Sequence, residues 1–577
     1  MMITETPRKR IMSRLKELKL KRASWEPHWR DLADNMLPRR LRLNPQGEYE
    51  RGDKLNGSII DGTPMLAQRI LSAGLMAGVS SPSDNWFKLT TRDPDLKDFW
   101  PVKQYLQRVE ERLRWILALS NFYQAVASGT YPDLGVFGTA AMIMDEHPTR
   151  IISCYAMPMG EYYLAVNGEG DVDTCYRDIP MTVRQIVTRF CGDGNLSRLT
   201  QSTRNAYAKG NYEDVRRVLH VIDPNDEFQP GKALPGKMAW RSLWLERDCG
   251  NEERYLYKGG YEEFPVMAPR WSTTGHDPYG RGPGMDALGD CKELQHERKR
   301  RGRMVDKVAD PPMKASAGLR GSRATLVPGD VTYMGNEPNA MFEPSMTIDP
   351  RAMQEVRDGL QDGRSFIHRT FYADLWLNIL SDQRTQRATA TEIEEGKQER
   401  MLQLGPVLLH LTPELLRPSV DRAYAIAERL GLMPDDPPEE LQGETLQIEF
   451  ISILHQAQKR SGLGAIRTVW DEAGRIAQFK PSVMDKMEAD ASIDAIADIV
   501  GAPPKIVLDA DGVAQVRKVR AAEEEKAAQA QQAAAVADGA AKLGKTPAPG
   551  PDNALGALLG NGAGTGVGAI IPPGGQA

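Results

Sequence analysis

Apolar side chains near the N-terminus recur at helical spacing. Ile11, Leu15, Leu18, Trp25 and Trp29 stand at offsets of 4, 7, 14 and 18, along one side of a helix whose solvated flanks carry Arg14, Lys16, Lys19 and Lys21. Pro27 marks where that helix splits or kinks. A second helical stretch, GTPMLAQRILSAGLMAGVSS, runs into the stop signals Gly78 and Pro82. Over residues 137–179 the texture changes to β-branched and aromatic residues with the turn pairs Asn167-Gly168 and Glu169-Gly170, which predicts antiparallel strands. Further strands are expected at 215–223, 238–246, 259–265 and, far downstream, 445–452.

The helical period returns over residues 285–310, ended by Pro311 and Pro312, and again after Pro350. Between them lies a polar, Gly-containing stretch of short strands and turns, so the pattern predicts a hairpin-like excursion from the main body. A long helical region then runs to Leu430, interrupted at Pro406, Pro413 and Pro418. From Ala521 the chain is Ala/Glu/Gln-rich and from Thr546 Gly/Pro-rich, with too few large apolar residues to order itself. The fold class is α+β.

The stretch RATATEIEEGKQERM, residues 387–401, opens a helix with four acids close together. Thr389 and Glu392 have the spacing of a capping box, and Thr391 with Glu394 offers a second register. Glu392, Glu394 and Glu395 near the positive end of the helix dipole are each favourable by about 0.3–1 kcal/mol, which accounts for acids here without a ligand.

Charge narrows the partners. Of 577 residues, 73 are Lys or Arg and 78 Asp or Glu, a formal charge of −5, so any contact with DNA is local. The five cysteines, Cys154, Cys175, Cys191, Cys249 and Cys291, are widely spaced and fit buried free thiols in a reducing compartment. The N-terminal segment lacks the apolar core of a secretory signal, and the longest apolar region is interrupted by Gln68 and Arg69, so a soluble intracellular protein with no membrane partner is expected.

Catalytic motifs are scarce. GAAKLGKT, residues 539–546, matches a phosphate-cradling loop by spacing, but it lacks the preceding apolar strand and following helix that such a loop needs. In GRGPG, residues 280–284, Pro283 removes one of the N–H donors of a phosphate loop, leaving a turn. None of the eight histidines is paired at helical spacing; His220, His296 and His410 each stand alone in predicted elements. Zinc-protease, nucleophile-elbow and dinucleotide motifs are absent, which argues against a hydrolase or dehydrogenase. No catalytic residue, metal site or cofactor is expected.

A set of segments in fixed order nevertheless resembles the portal, or head-to-tail connector, family of short-tailed double-stranded DNA phages. They are WEPHWRDLADNMLP, LSAGLMAGVSSPSDNWFKL, MGEYYLAVNGEGDVDTCYRDIPMTVRQIV, PYGRGPGMDALGDCKEL, VADPPM, TATEIEEGKQERMLQLGPVL and IVGAPPKIVLDADGVAQVRKVRA, between Trp25 and Ala521. The resemblance implies a portal-type protomer assembled as a homo-oligomeric ring, a dodecamer, around a channel. It implies an N-terminal α/β wing at 1–284, stem helices at 285–310 and 350–374, and a small β-containing clip at 311–349 between them. A tunnel loop at 375–388, a long tunnel helix with the wing return at 389–484 and a helical crown at 485–521 follow, with 522–577 as a disordered tail. The implied role is a non-enzymatic conduit at the capsid vertex of the virion, assembled in the host cytoplasm. It passes the genome during packaging and ejection and nucleates procapsid assembly. The implied partners are the terminase large subunit, major capsid and scaffolding proteins, tail adaptor and tail tube proteins, and double-stranded DNA without sequence specificity.

Within that frame Glu392, Glu394, Glu395 and Glu399 are candidates to line the channel, where repetition around a ring makes an acidic girdle that keeps the duplex from sticking. Arg298, Lys299, Arg300, Arg301 and Arg303 are nearly consecutive and cannot all face one way; they fit a solvated or intersubunit-paired helix, or else a subset makes sequence-independent phosphate contacts or an electrostatic ring near the clip. Leu288, Cys291, Leu294, Met304, Val305 and Val308 are expected to pack the stem, within and between subunits. The alternatives are a scaffolding or capsid-lining protein, suggested by the Ala/Gly-rich tail, and a packaging ATPase, which rests on the misplaced residues 539–546 alone.

Overall fold

Ile11, Leu15 and Leu18 are each 2% exposed on one side of α1 (Pro7–Ala23), packed against a five-stranded sheet, whereas Trp29 and Leu32 belong to α2 (Glu26–Met36) and the main core. The break falls ahead of Pro27, which sits in the first turn of α2, where its missing N–H is no loss. Arg22 covers the joint, donating to the carbonyls of Gly160 (2.8 Å) and Tyr162 (2.9 Å) and lying 3.8 Å over the Tyr163 ring. The structure is a computed structural model that describes residues 7–43, 54–83, 85–91, 93, 96, 99–231, 234, 236–247, 254–315, 342–380, 404–434, 437–441, 446–450, 453–500, 507 and 510–544.

The main core is helical at its centre. α3 (Thr63–Gly78) buries Leu71 and Leu75, α4 (Trp100–Leu119) buries Val109, Leu113 and Ile116, and the short α5 (Tyr131–Phe137) is buried throughout. Gly138 ends α5 at φ 73°, with the backbone of Arg281 2.5 Å from where a Cβ would stand, so only glycine fits. This close approach is the use made of GRGPG: Gly280 and Gly282 lie against the backbone at Gly138, and Pro283 opens a helical turn.

The strands are antiparallel, as the turn pairs predicted. β1 (Phe87–Thr91) finds its partner far downstream. β2 (Ala141–His147), β3 (Ile151–Met157) and later β9 (Val266–Met267) form one sheet in the order β3-β2-β9. β4 (Tyr162–Val166), β5 (Val172–Thr182), β6 (Val215–Pro224), β7 (Trp240–Glu246) and β8 (Tyr257–Tyr261) form a meander in chain order. Alternation on β6 sends Leu219 and Val221 towards α1 and Val218 to the opposite face, where the helix Val183–Phe190 packs. His220 is a packed core residue, stacked 3.8 Å from Trp244 with Nε2 3.1 Å from Ser242 Oγ, and burial holds its pKa well below the ordinary value. The strand expected at 259–265 is divided: β8 stops at Tyr261, and after Pro265, which has no N–H to donate, the chain joins the other sheet as β9.

Both helices of the expected excursion form, and residues 316–341 between them lie outside the described residues. α6 (Leu288–Ala309) and α7 (Pro350–Thr370) pack on each other, and β10 (Met313–Ala315) pairs antiparallel with β11 (Phe342–Pro344) where the chain leaves one helix and returns to the other. The loop expected over 375–388 is helical over residues 375–380, where α8 (Ala373–Leu380) buries Leu375 and Trp376, and residues 381–388 lie outside the described residues.

The prolines after 405 do not break the chain's helical course. α9 (Gly405–Leu411) passes through a π-helical turn, Thr412–Leu416, into α10 (Arg417–Arg429). Pro406, Pro413 and Pro418 each occupy the first turn of a segment, where no N–H is required. Arg422 on α10 is 2% exposed and donates to the Met144 carbonyl at 2.7 Å, tying α10 to β2. β12 (Leu446–Phe450), the expected downstream strand, pairs antiparallel with β1. α11 (Ile453–Ala477) and α12 (Ala489–Val500) then pack together.

The chain divides into two compact units, Met1–Ala502 and Pro503–Ala577. The second is described by α13 (Ala510–Gly544), which overturns the boundary at 521 and the disordered tail as far as residue 544. Ala, Glu, Lys and Gln dominate that stretch and are strong helix formers, so a segment too polar for a core is still regular. No helix among the described residues is long and apolar enough to cross a membrane. Cys154, Cys175, Cys191 and Cys291 are buried free thiols, as expected; Cys249 lies outside the described residues.

Candidate functional site

The hairpin of α6 and α7 is the feature that stands out from the core. Pro311 and Pro312 stop α6 after Asp310, and Asp349 caps α7, its side chain accepting from the Arg351 N–H at 2.9 Å, with Pro350 preorganised in the first turn. At 22 and 21 residues the helices span about 33 and 31 Å.

Its base is anchored by polar groups on both helices. Gln295 Oε1 accepts from the N–H groups of Ile60 (2.7 Å) and Asp61 (2.8 Å), and its Nε2 donates to the Asp61 carbonyl (2.8 Å). The Asp61 carboxylate accepts from Arg364 of α7 at 2.6 Å and from Thr63. Burial alone would raise its pKa; the hydrogen bonds from Thr63 and Arg364 outweigh that and hold the carboxyl below its ordinary value. Cys291, Leu294, Leu360 and Ile367 fill the space between the helices and the body. α7 then leads into α8, whose Trp376 is clasped against α3 at Gly74.

Away from the base the hairpin has little cover. Val305 is 47% exposed and Val308 53%, while Met304, Met353 and Val356 are half-buried between the helices. The expected stem residues therefore divide: Leu294 and Cys291 are core, Leu288 and Met304 half-buried, and Val305 and Val308 open to solvent in the single chain.

The basic run divides as well. Arg298 and Arg301 are half-buried on the side of α6 towards α7, whereas Lys299, Arg300 and Arg303 are exposed on other sides. Among the described residues none of the five forms an ion pair, unlike Lys292 at the base, which lies 2.7 Å from Asp31. Thr389, Thr391, Glu392, Glu394, Glu395 and Glu399 lie outside the described residues.

Residues 539–544, the first part of the apparent phosphate loop, are helical within α13, so their N–H groups run along a helix instead of converging on an anion. Among the described residues no group of three or more His, Cys, Asp or Glu is placed to hold a metal ion. What sequence reasoning missed is the anchoring set, Asp61, Gln295, Arg364, Gly74 and Trp376. These residues meet across 234 to 303 positions in the case of Asp61, Gln295 and Arg364, and no local pattern marks them.

Comparison with known proteins places the chain in a family. A family model described as bacteriophage head to tail connecting protein matches residues 8–507. The chain is 39% identical over 549 residues to the portal protein of Salmonella phage epsilon15, covering 94% of this chain and 96% of that protein. It is 35% identical over 544 residues to the probable portal protein of Bordetella phage BPP-1, with the same coverage of each.

Proposed function

This chain belongs to the family of bacteriophage head-to-tail connecting proteins, and on that premise we propose that it forms a closed ring of identical subunits at one capsid vertex, around a channel for the genome. Its role is that of a phage portal protein, structural rather than enzymatic. In this reading α6 and α7 are the stem, residues 311–349 with the β10–β11 pair at their root are the clip, and α11 with α12 belongs to the wing return and crown.

The observation that carries the reading is the hairpin: a firmly anchored base joined to an outer half whose apolar side chains Val305 and Val308 are uncovered in the single chain. A two-helix layer cannot bury both of its faces by itself, and identical neighbours in a ring supply the missing cover. Twelve copies, the terminase motor and tail proteins as docking partners, and capsid and scaffolding proteins as assembly partners extend the same reading. Glu392, Glu394, Glu395 and Glu399 would line the channel as an acidic girdle, repelling the phosphates of a moving duplex.

The test is assembly with and without the chain. Capsid shells formed in its absence should contain no packaged genome and carry no tail; DNA-filled, tailed particles lacking it would contradict the reading.

A further inference from the structure

The outward faces of α6 and α7 carry opposite charge. At about 100° per residue, Lys299, Arg300, Arg303 and Lys307 fall within an arc of about 100° on the part of α6 turned from α7, and all four are exposed. On α7, Glu355, Asp358 and Asp362 fall within about 60° of one another, roughly opposite the half-buried Met353 and Val356, and are also exposed. Beside that stripe Gly359 approaches the end of the Glu297 side chain, and Gly363 approaches Leu294.

Those two contacts also fix the heights. Since 297 stands opposite 359 and 294 opposite 363, Lys299 is level with Asp358 and Arg303 with Glu355, to within about 3 Å along the axis. Two stripes on opposite sides of one layer are thus complementary where they are level, Lys299 with Asp358 and Arg303 with Glu355.

We infer that the basic stripe of α6 docks on the acidic stripe of α7 in the next copy of this chain. The inference rests on the ring proposed above. In a closed ring related by rotation every copy sits at the same height, and a head-to-tail interface brings one face of each copy against the opposite face of its neighbour. Level complementarity on opposite faces is what such an interface requires. Exposed ion pairs add little to affinity, but they set register and reject a mispaired neighbour, here a copy slipped along the stem or turned over. Lys299 and Arg303 consequently serve the joint between subunits and are withdrawn from contact with DNA.

The test uses full-length protein and charge reversal on each face. K299E/R303E sets acid against acid at the two matched heights, and E355K/D358K sets base against base there. Each variant alone should lose closed rings at least tenfold, as counted by electron microscopy and sedimentation. The four-substitution chain, in which the signs are exchanged, should recover them, and so should an equimolar mixture of the two variants, as rings of alternating subunits. Recovery also shows that the substituted chains fold. Rings at the native level from either variant alone would overturn the inference, as would a native chain that closes while the exchanged chain and the mixture both stay dispersed. Absence of rings from the native chain would overturn the ring itself, and this inference with it.

Discussion

Trp376 lies across Gly74 so closely that a Cβ on the glycine would stand 2.1 Å from the indole Cδ2. The indole is 3% exposed and belongs to the main core, so it has no free space to retreat into. Gly74→Ala should therefore destabilise the fold by about 1–3 kcal/mol, as overpacking does, although alanine is the better helix former. Denaturant unfolding checks this; an unchanged or raised midpoint would show that the clasp between α3 and α8 is looser than described.

Glu110 on α4 is the clearest source of pH dependence. Burial pushes its pKa up to about 7, with the Leu89 N–H, which it accepts at 2.7 Å, and Arg114 partly offsetting that. The folded pKa lies above the unfolded one, so stability is fully present below the ordinary carboxylate range and is lost as pH rises towards about 7. Glu110→Gln keeps an acceptor for Leu89 and removes the ionisation. It should raise stability on the order of 2 kcal/mol at pH 8 and change little at pH 4, measured by denaturant titration at both. Equal effects at the two values would contradict the assignment.

Gln295 satisfies three backbone groups at the root of the hairpin. Gln295→Leu leaves two N–H groups and a carbonyl without their partner in a buried place, at a cost of about 2–4 kcal/mol. Hydrogen exchange at Ile60 and Asp61 should accelerate in the variant, because those N–H groups bond to this side chain. Exchange at the native rate would mean that another acceptor holds them.

Neutralising Glu392, Glu394, Glu395 and Glu399 together to glutamine should slow genome packaging while leaving assembled rings intact. On the proposed reading, a lumen without these acids repels the duplex less and holds it longer. Packaging at the native rate would remove the acidic girdle from the account.

Much of the fold was legible because it is locally encoded. The period of Ile11, Leu15 and Leu18, the turn pairs at Asn167 and Glu169, and Pro311-Pro312 against Pro350 gave α1, the antiparallel strands and the hairpin. Local signals misled where geometry could absorb them. Pro413 and Pro418 read as breaks but sit in first turns around a π-helical turn, and the polar tail after Ala521 read as irregular although its residues favour helix. The basic run needed the structure most: on paper five cations point in all directions, and only the packing of α6 on α7 shows Arg298 and Arg301 turned inward and Lys299, Arg300 and Arg303 left outside. The hairpin anchor at Asp61 was invisible, since its partners Gln295 and Arg364 lie 234 and 303 positions away.

The measurement that bears most directly on the central claim is electron microscopy of the purified full-length chain with averaging of end-on views. The account predicts closed rings of identical subunits with a central opening that admits a DNA duplex, and the averages would count the subunits. Monomers or open, irregular aggregates across a range of salt concentrations would contradict it.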